Sequence, residues 1–566
     1  MSRRVTVVTL SIAVVALAAS GPLPLAASED DTSAAIAAHV LNRLAFGPRP
    51  GEIAQVRRVG IHAWIDGQLH PERIDNRALE ARLARFETLS LDTSTILRDY
   101  YAPAMQERRA RQRQAGAATA QEDPRPSSPQ DLKTSRPQDL SAAERKARFV
   151  LAELSEARVI RAVYSERQFE EVLTDFWFNH FNVFAGKGPT RAFLTSFERD
   201  AIRPYVLGDF RQMLEAVAQS PAMLFYLDNW QNVQPQMTQM AQMTQMAQMA
   251  RMARGASSGR GRRPTRASGR FESTGAGSQQ PEPQRQRTPR GINENYAREL
   301  LELHTLGVDG GYTQDDVVNV ARAFTGWTMR PRQDAQFMFA RQLHDAGEKH
   351  VLGHTLKAGR GIEDGREVLD ILVAHPSTAQ FIATRLAEKF VSDTPPAALV
   401  DRAAKRFLET RGNLREVTRV IVSSPEFLAA DAQRAKVKTP LEFVASALRA
   451  TGAEVSSALP VIRVLRNLGM PLYFCQPPTG YEEKADTWVS SGALVARMNF
   501  AVELGGGRMR GITLPAVTPV SSVGARLVGD VLADDVSQPT RATIAKAATG
   551  DQVIALVIGS PEFQRQ

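Results

Sequence analysis

The residues best suited to chemistry are concentrated in one stretch near the middle of the chain, which contains Glu299, Glu302 and His304. If this stretch is helical, the two carboxylates lie on one strip and His304 lies with Leu301 and Val308 on an apolar flank. Carboxylates and an imidazole on one helix can ligate a divalent metal ion or act as an acid/base set. The Glu-x-x-His spacing of diiron bundles is absent, so a surface charge ladder beside a buried histidine is the alternative.

A second imidazole, His180, lies in the segment 176–183 and shares a helical stripe with apolar residues of the preceding turns. The pattern predicts that His180 faces the core and needs a partner there, because an unsatisfied buried polar group costs about 1–3 kcal/mol. We expect it to meet Glu299 or His304 across a helix pair, inside an aromatic wall. The alternative is a structural histidine with a hydrogen bond and no catalytic role.

The candidate catalytic set is therefore His180, Glu299, Glu302 and His304, and a divalent metal would take His180, Glu299 and His304 as ligands. A weaker metal candidate is the pair His344 and Asp345.

Other motifs are weaker candidates for catalysis or metal binding. Asp345 also suits a hairpin turn, and the single cysteine, Cys475, is read as a small buried residue in preference to a nucleophile. A G-x-S-x-G match at 255–259 lies in the Gly/Arg-rich segment predicted to be disordered, without the strand and helix that position a serine nucleophile, and no phosphate-binding glycine loop occurs.

The elements that must position these residues are mainly α-helical. Amphipathic patterning predicts a multi-helix protein of non-regular helical hairpins in two or three packed units, with one small β-hairpin near 337–352. Ser220-Pro221, Ser424-Pro425 and Ser560-Pro561 repeat one pattern, in which a helix ends and a serine caps the next. Thr313 is predicted to cap a helix in the same way.

The chain divides by composition. Residues 1–28 have the basic start, apolar run and small residues of a signal peptide, so the protein is expected to be exported, to the periplasm or outside, with no membrane span after leader removal. The expected helical parts are 29–106, 148–230, 291–430 and 431–566. Two segments, 107–147 and 231–290, are predicted to be disordered inserts; the second begins with Met/Gln repeats and continues with Gly and Arg.

The net charge of +9 does not indicate nucleic-acid binding. The excess of Arg and Lys lies in the two predicted inserts, and the remaining sequence is mildly acidic. A nucleic-acid binder more often carries its charge on a folded face with aromatic residues nearby, so no nucleic-acid partner is expected.

Several long motifs occur in order along the chain. They are HVLNRLAFGP (39–48), FWFNHFNV (176–183), NENYARELLELHTLG (293–307), DGGYT (309–313), FTGW (324–327), HDAGEK (344–349), QPPTGY (476–481) and RMNF (497–500). Together they resemble the bacterial family catalogued as domain of unknown function 1800 (DUF1800). The resemblance implies an exported helical protein. It also suggests a partner, because genes of this family are often found beside one for a sulfatase-like protein of the alkaline phosphatase superfamily.

Two classes of function follow from these observations. The first is a binding or accessory protein of the cell envelope, working with a sulfatase-like partner. The second is a metal-assisted or acid/base hydrolase centred on His180, Glu299, Glu302 and His304. No complete catalytic signature is present, which favours the first class.

Overall fold

The structure is a computed structural model and describes residues 29–119, 140–235, 291–331, 334–515 and 520–566. The predicted signal peptide (1–28), the middle of the first predicted insert and most of the second lie outside these residues. The described chain is mainly α-helical, as predicted, and its strands form small two-stranded antiparallel sheets. No helix among the described residues is both long and apolar enough to cross a bilayer.

The first half of the chain is almost entirely helical. Its α-helices are α1 (Glu29–Leu44), α2 (Glu52–Val59), α3 (Ile61–Gln68), α4 (Arg77–Leu83), α5 (Thr93–Ile96), α6 (Ala102–Thr119), α7 (Ala142–Tyr164), α8 (Gln168–His180), α9 (Leu194–Ser196), α10 (Phe210–Gln219) and α11 (Pro221–Tyr226). Short 3-10 turns occupy Pro71–Arg73, Glu87–Leu89, Thr190–Ala192, Arg203–Tyr205 and Asn229–Gln231.

The second half continues with helices and adds the strands. Its α-helices are α12 (Glu294–Glu299), α13 (Gln314–Ala323), α14 (Ile362–Ala374), α15 (Pro376–Phe390), α16 (Ala397–Glu409), α17 (Leu414–Val422), α18 (Pro425–Leu428), α19 (Pro440–Thr451), α20 (Leu459–Asn467), α21 (Ser491–Gly505), α22 (Val520–Leu532), α23 (Gln538–Ile544), α24 (Gly550–Gly559) and α25 (Pro561–Gln564). Its 3-10 turns are Arg341–Leu343 and Ala485–Trp488, and its strands are β1 (Trp327–Met329), β2 (Phe337–Phe339), β3 (Lys349–Val351), β4 (His354–Leu356), β5 (Glu454–Val455) and β6 (Ile512–Thr513).

The predicted helix caps are confirmed. The hydroxyl of Ser424 accepts the Phe427 N–H at 3.1 Å, and the hydroxyls of Ser220 and Ser560 cap their helices in the same way. Thr313 forms a full capping box with Asp316. Local sequence therefore sets these helix starts, because a cap satisfies an otherwise unpaired backbone N–H.

Two local expectations differ from the structure. Strands β2 and β3 form where strands were predicted, but they do not pair with each other: β2 pairs with β1, and β3 pairs with β4. In addition, α6 continues through residues 107–119, which were predicted to be disordered. The Arg, Gln and Ala residues of this segment are good helix formers, so the helix propagates beyond its buried part.

One contiguous hydrophobic core connects the helices, and it contains buried residues from Val40 to Phe563. A smaller cluster beside it joins α1 to α2 through Leu41, Ile53 and Val56. Because this core is continuous, it does not mark where one packed unit ends and the next begins. The boundaries between packed units stay a prediction from composition.

Three described segments have π-helical geometry: Leu97–Tyr101, Phe197–Ile202 and Leu300–Thr305. A π turn inserts one extra residue into a helix and shifts every side chain that follows it, and such turns are frequent at functional sites. Two of the three, Leu97–Tyr101 and Leu300–Thr305, belong to the candidate sites.

Candidate functional site

His180 and His304 meet in the core, as the sequence predicted. The Nε2 of His180, at the end of α8, lies 3.2 Å from the backbone carbonyl oxygen of His304, and the two ring centroids are 6.3 Å apart. The carbonyl can only accept, so His180 carries its proton on Nε2 and donates it. Phe181 packs edge-on against both imidazoles, which completes the aromatic wall.

Both imidazoles are held neutral by this environment. Burial lowers the pKa of His304 to about 3, and burial together with nearby His304 and Arg385 lowers the pKa of His180. The Nδ1 of His304 is buried and has no hydrogen-bond partner among the described residues. A second proton, which would make either ring a charged imidazolium, is therefore unfavourable at neutral pH.

Glu299 and Glu302 lie on a more open side of the same segment, and both are half-buried. Burial and the neighbouring Glu302 charge raise the pKa of Glu299, and Glu302 accepts a long hydrogen bond, 3.4 Å, from the Tyr312 hydroxyl. Within the described chain, no hydrogen bond or ion pair joins either carboxylate to His180 or His304.

The π turn Leu300–Thr305 explains why one side of this helix differs from the α-helical expectation. Its extra residue is marked by the Leu306 N–H, which bonds the Leu301 carbonyl five residues back at 2.8 Å. His304 is buried as predicted, but Val308, expected on the same flank, is 67% exposed. The face predicted from a constant 3.6-residue period therefore ends within the turn.

The weaker metal candidates, His344 and Asp345, are each bound by protein groups. His344 Nε2 lies 3.3 Å from Asp364 Oδ2, and its Nδ1 lies 2.9 Å from the Thr325 carbonyl oxygen. Asp345 accepts from Arg322 at 2.8 Å.

Asp364 is the centre of this second cluster. Its carboxylate also accepts from the buried Lys349 at 2.7 Å. Burial alone would raise the pKa of Asp364, but the hydrogen bonds from His344 and Lys349 hold it below its usual value. The cluster ties β3 to the start of α14. Across the part of the chain that the structure describes, no group of three or more His, Cys, Asp or Glu residues is placed to hold a metal ion.

Asparagines in the motifs have a role that the sequence did not reveal. Asn179 donates to the Tyr481 carbonyl and accepts from its N–H, both at 2.7 Å, and Asn182 donates to the carbonyls of Cys475 and Pro477. The segment 176–183 thereby clamps the QPPTGY loop (476–481). The only sequence signal was the occurrence of asparagine among buried aromatics, which requires backbone partners.

Cys475 is buried in the clamped loop. Burial, with a contribution from Glu482, raises the pKa of its thiol to about 11. The thiol is therefore protonated at neutral pH and unsuited to nucleophilic attack. This agrees with the expectation of a small buried residue.

A cavity of a size suited to a small molecule lies elsewhere. It has a volume of about 560 Å³, and its wall includes Tyr101, Met105, Phe225 and Trp230; we call it the Tyr101–Trp230 cavity. Its size is in the range of small-molecule sites, about 300–1,000 Å³. None of its residues had been singled out from the sequence.

Several elements position the aromatic wall. The π turn Leu97–Tyr101 and the start of α6 supply one side. The rings of Phe225 and Trp230 stack on the other side, with centroids 5.7 Å apart and planes 9° from parallel. The Trp230 backbone is fixed because its carbonyl accepts from the Thr328 hydroxyl at 2.7 Å.

Three residues lining this cavity carry a buried polar atom without a hydrogen-bond partner among the described residues. They are Tyr101 through its hydroxyl, Trp230 through Nε1 and Asp334 through Oδ1. Burial also raises the pKa of Tyr101, so its hydroxyl is a donor at neutral pH. These three atoms are closed off from solvent, so the accessible lining of the cavity is mainly apolar, with aromatic rings at its wall.

Comparison with known proteins gives one match. The family model described as Protein of unknown function (DUF1800) matches residues 39–565. Neither a curated protein nor a solved structure matched the chain. Because the matched residues extend over nearly the whole chain, this protein belongs to the DUF1800 family.

Proposed function

We propose that this protein is an exported binding protein of the cell envelope, and that the Tyr101–Trp230 cavity is its ligand site. The observation that carries the proposal is the mainly apolar lining of one cavity of about 560 Å³, whose wall holds the stacked rings of Phe225 and Trp230.

The π turn in the cavity wall adds support. Leu97–Tyr101 interrupts the helical path just before α6 and brings Tyr101 to the cavity. Such turns are less favourable than a continued α-helix, and their frequent presence at functional sites is consistent with a binding role.

Export rests on the leader. Arg3 and Arg4 precede an apolar run at 5–19, and small residues follow, which is the arrangement of a signal peptide. Fractionation of cells that produce the untagged protein tests this proposal. Mature protein in the periplasm or medium, with a new amino terminus near residue 29, is the expected result.

The partnership with a sulfatase-like protein rests on the family resemblance alone. It is tested by co-purification of the mature chain with the product of the neighbouring sulfatase-like gene. A stable complex is expected, and two separate proteins at micromolar concentration would exclude a lasting partnership.

The second candidate function is metal-assisted or acid/base hydrolysis by His180, Glu299, Glu302 and His304. The raised pKa of Glu299 beside Glu302 supports it, because perturbed carboxylates are common in catalytic sites. Elemental analysis of the untagged protein, purified without chelator, tests the metal. Near-stoichiometric metal that is lost in His304→Gln would place hydrolysis ahead of binding.

The binding proposal is tested by fluorescence titration with N-phenylnaphthylamine, an uncharged aromatic probe. We expect saturable binding to the mature chain that is weakened about tenfold in Trp230→Leu, since stacked aromatic contact is lost. Met498→Gln is the matched control, because Met498 is an exposed apolar residue on α21 that does not line the cavity. Equal binding by both variants would show that the probe binds another surface, and the proposal would fall.

A further inference from the structure

The charges around the Tyr101–Trp230 cavity are unevenly paired. Arg98 is paired with the adjacent Asp99 at 2.7 Å, and Asp334 is paired with Arg330 at 2.9 Å. Arg109 also lines the cavity, but no ion pair or hydrogen bond joins it to any residue that the structure describes. After these pairs are cancelled, one positive charge remains, and it belongs to Arg109.

Arg109 lies at the end of a defined stripe. Tyr101, Met105 and Arg109 follow one another at intervals of four residues and all line the cavity. Residues at this spacing share one side of a helix, so an aromatic ring, a thioether and a guanidinium succeed one another along the wall. The stripe is apolar at the π turn and cationic one to two turns later.

Asp334, which also lines the cavity, carries the charge opposite to that of Arg109, and this difference sets the orientation of a bound ligand. The negative charge of its carboxylate would repel an anion. The guanidinium of Arg109, in contrast, matches a carboxylate, sulfonate or phosphate.

We infer, on the basis of the proposed binding function, that the ligand is an amphipathic anion. Its flat or flexible apolar body packs against Tyr101, Phe225 and Trp230, and its single anionic group meets Arg109. Long-chain fatty acids and soluble aromatic acids share this chemistry and are the two sources to be distinguished.

The test uses two related probes. Anilinonaphthalene sulfonate carries an anionic group, and N-phenylnaphthylamine has the same aromatic body without it. We expect the mature chain to bind the sulfonate more tightly, and Arg109→Gln to weaken sulfonate binding by roughly three- to tenfold while the uncharged probe changes less than about twofold. Raising the salt concentration should reduce the difference between the probes.

The matched control is Arg108→Gln, which removes the same charge from the neighbouring position, where the side chain is exposed and does not line the cavity. A loss of sulfonate binding in both variants would indicate a general charge effect and overturn the inference.

The remaining outcomes separate the two proposals. Equal binding of both probes, unaffected by Arg109→Gln but weakened by Trp230→Leu, would overturn the anionic ligand and leave the binding function intact. No binding of either probe would overturn both.

Competition then identifies the source. Displacement of the sulfonate by decanoate supports a fatty acid, and displacement by naphthoate supports an aromatic acid. If neither displaces it, both proposed sources are excluded and the inference is overturned.

Discussion

The side chain of His180 is joined to the main chain of His304: its Nε2 donates to the His304 carbonyl oxygen at 3.2 Å inside the aromatic core. This bond links the end of α8 to the π turn Leu300–Thr305. The bond occupies Nε2 and leaves Nδ1 as the unprotonated ring nitrogen of His180.

Replacing His180 tests the structural role of this contact. His180→Ala should lower the free energy of unfolding by about 3 kcal/mol, because it leaves a cavity among aromatic rings and an unpaired carbonyl. Urea denaturation of the mature chain measures this, with His350→Ala as an exposed control expected to stay within about 0.5 kcal/mol of the wild type. Unchanged stability with a loss of ligand binding or activity would contradict the structural role.

The neutral state of His304 predicts an acid-sensitive fold. Its pKa of about 3 in the folded chain is below the 6.5 of a solvent-exposed histidine, so the unfolded chain binds more protons between these pH values. Stability should therefore rise from pH 3 to 6.5 and be lost as the pH falls through this window.

The comparison of His304→Gln with His354→Gln isolates this contribution. The first variant should have a flatter dependence of melting temperature on pH, and the second, which changes an exposed residue, should follow the wild type. A wild-type slope in His304→Gln would show that other groups cause the acid sensitivity.

Lys438 predicts the behaviour of the fold at alkaline pH. Its amine is buried and donates to the Ser446 hydroxyl at 2.9 Å. Burial lowers its pKa to about 7. The attraction to Glu442 acts in the opposite direction, and the positive charges of Arg434 and Arg497 offset part of that attraction. Because the unfolded lysine keeps its proton up to about pH 10.5, stability should rise between pH 7 and 10.5, and the cost of charging Lys438 is fully present below pH 7.

Lys438→Met tests this expectation. The variant should melt at a higher temperature than the wild type below pH 7, and the difference should shrink as the pH approaches 10.5. Lys405→Met, at an exposed position, is the control. A difference that does not vary with pH would contradict the lowered pKa.

The asparagine clamp predicts a local effect. Asn179→Asp removes the donor to the Tyr481 carbonyl and places a negative charge beside it, which should cost about 2 kcal/mol. Hydrogen exchange in residues 475–481 should become faster, whereas Asn499→Asp on an exposed face of α21 should leave it unchanged. Faster exchange throughout the chain would instead indicate a global effect.

Local features of the fold were predictable from sequence. The caps at Ser424 and Thr313 follow from side chains and backbone groups a few residues apart, so a short window contains all the information. The burial of His180 also followed from apolar periodicity, because it shares a helical stripe with apolar residues of the preceding turns.

Features that depend on distant partners were not predictable. Strand β2 pairs with β1 and not with β3, a choice made by packing around Trp327 rather than by a turn signal. The cavity was missed because Tyr101 and Trp230 are far apart in the chain and each reads as an ordinary core aromatic. The exposure of Val308 was missed because a π turn leaves no composition signature.

The π turn Leu97–Tyr101 determines which residues of α6 face the Tyr101–Trp230 cavity. An α-helix advances by 3.6 residues per turn, so one residue added or removed rotates everything downstream by about 100°. Deleting a single residue here would restore α geometry and turn Met105 and Arg109 away from the cavity. Relatives that lack the extra residue are therefore expected to present a different face of α6 to the same space.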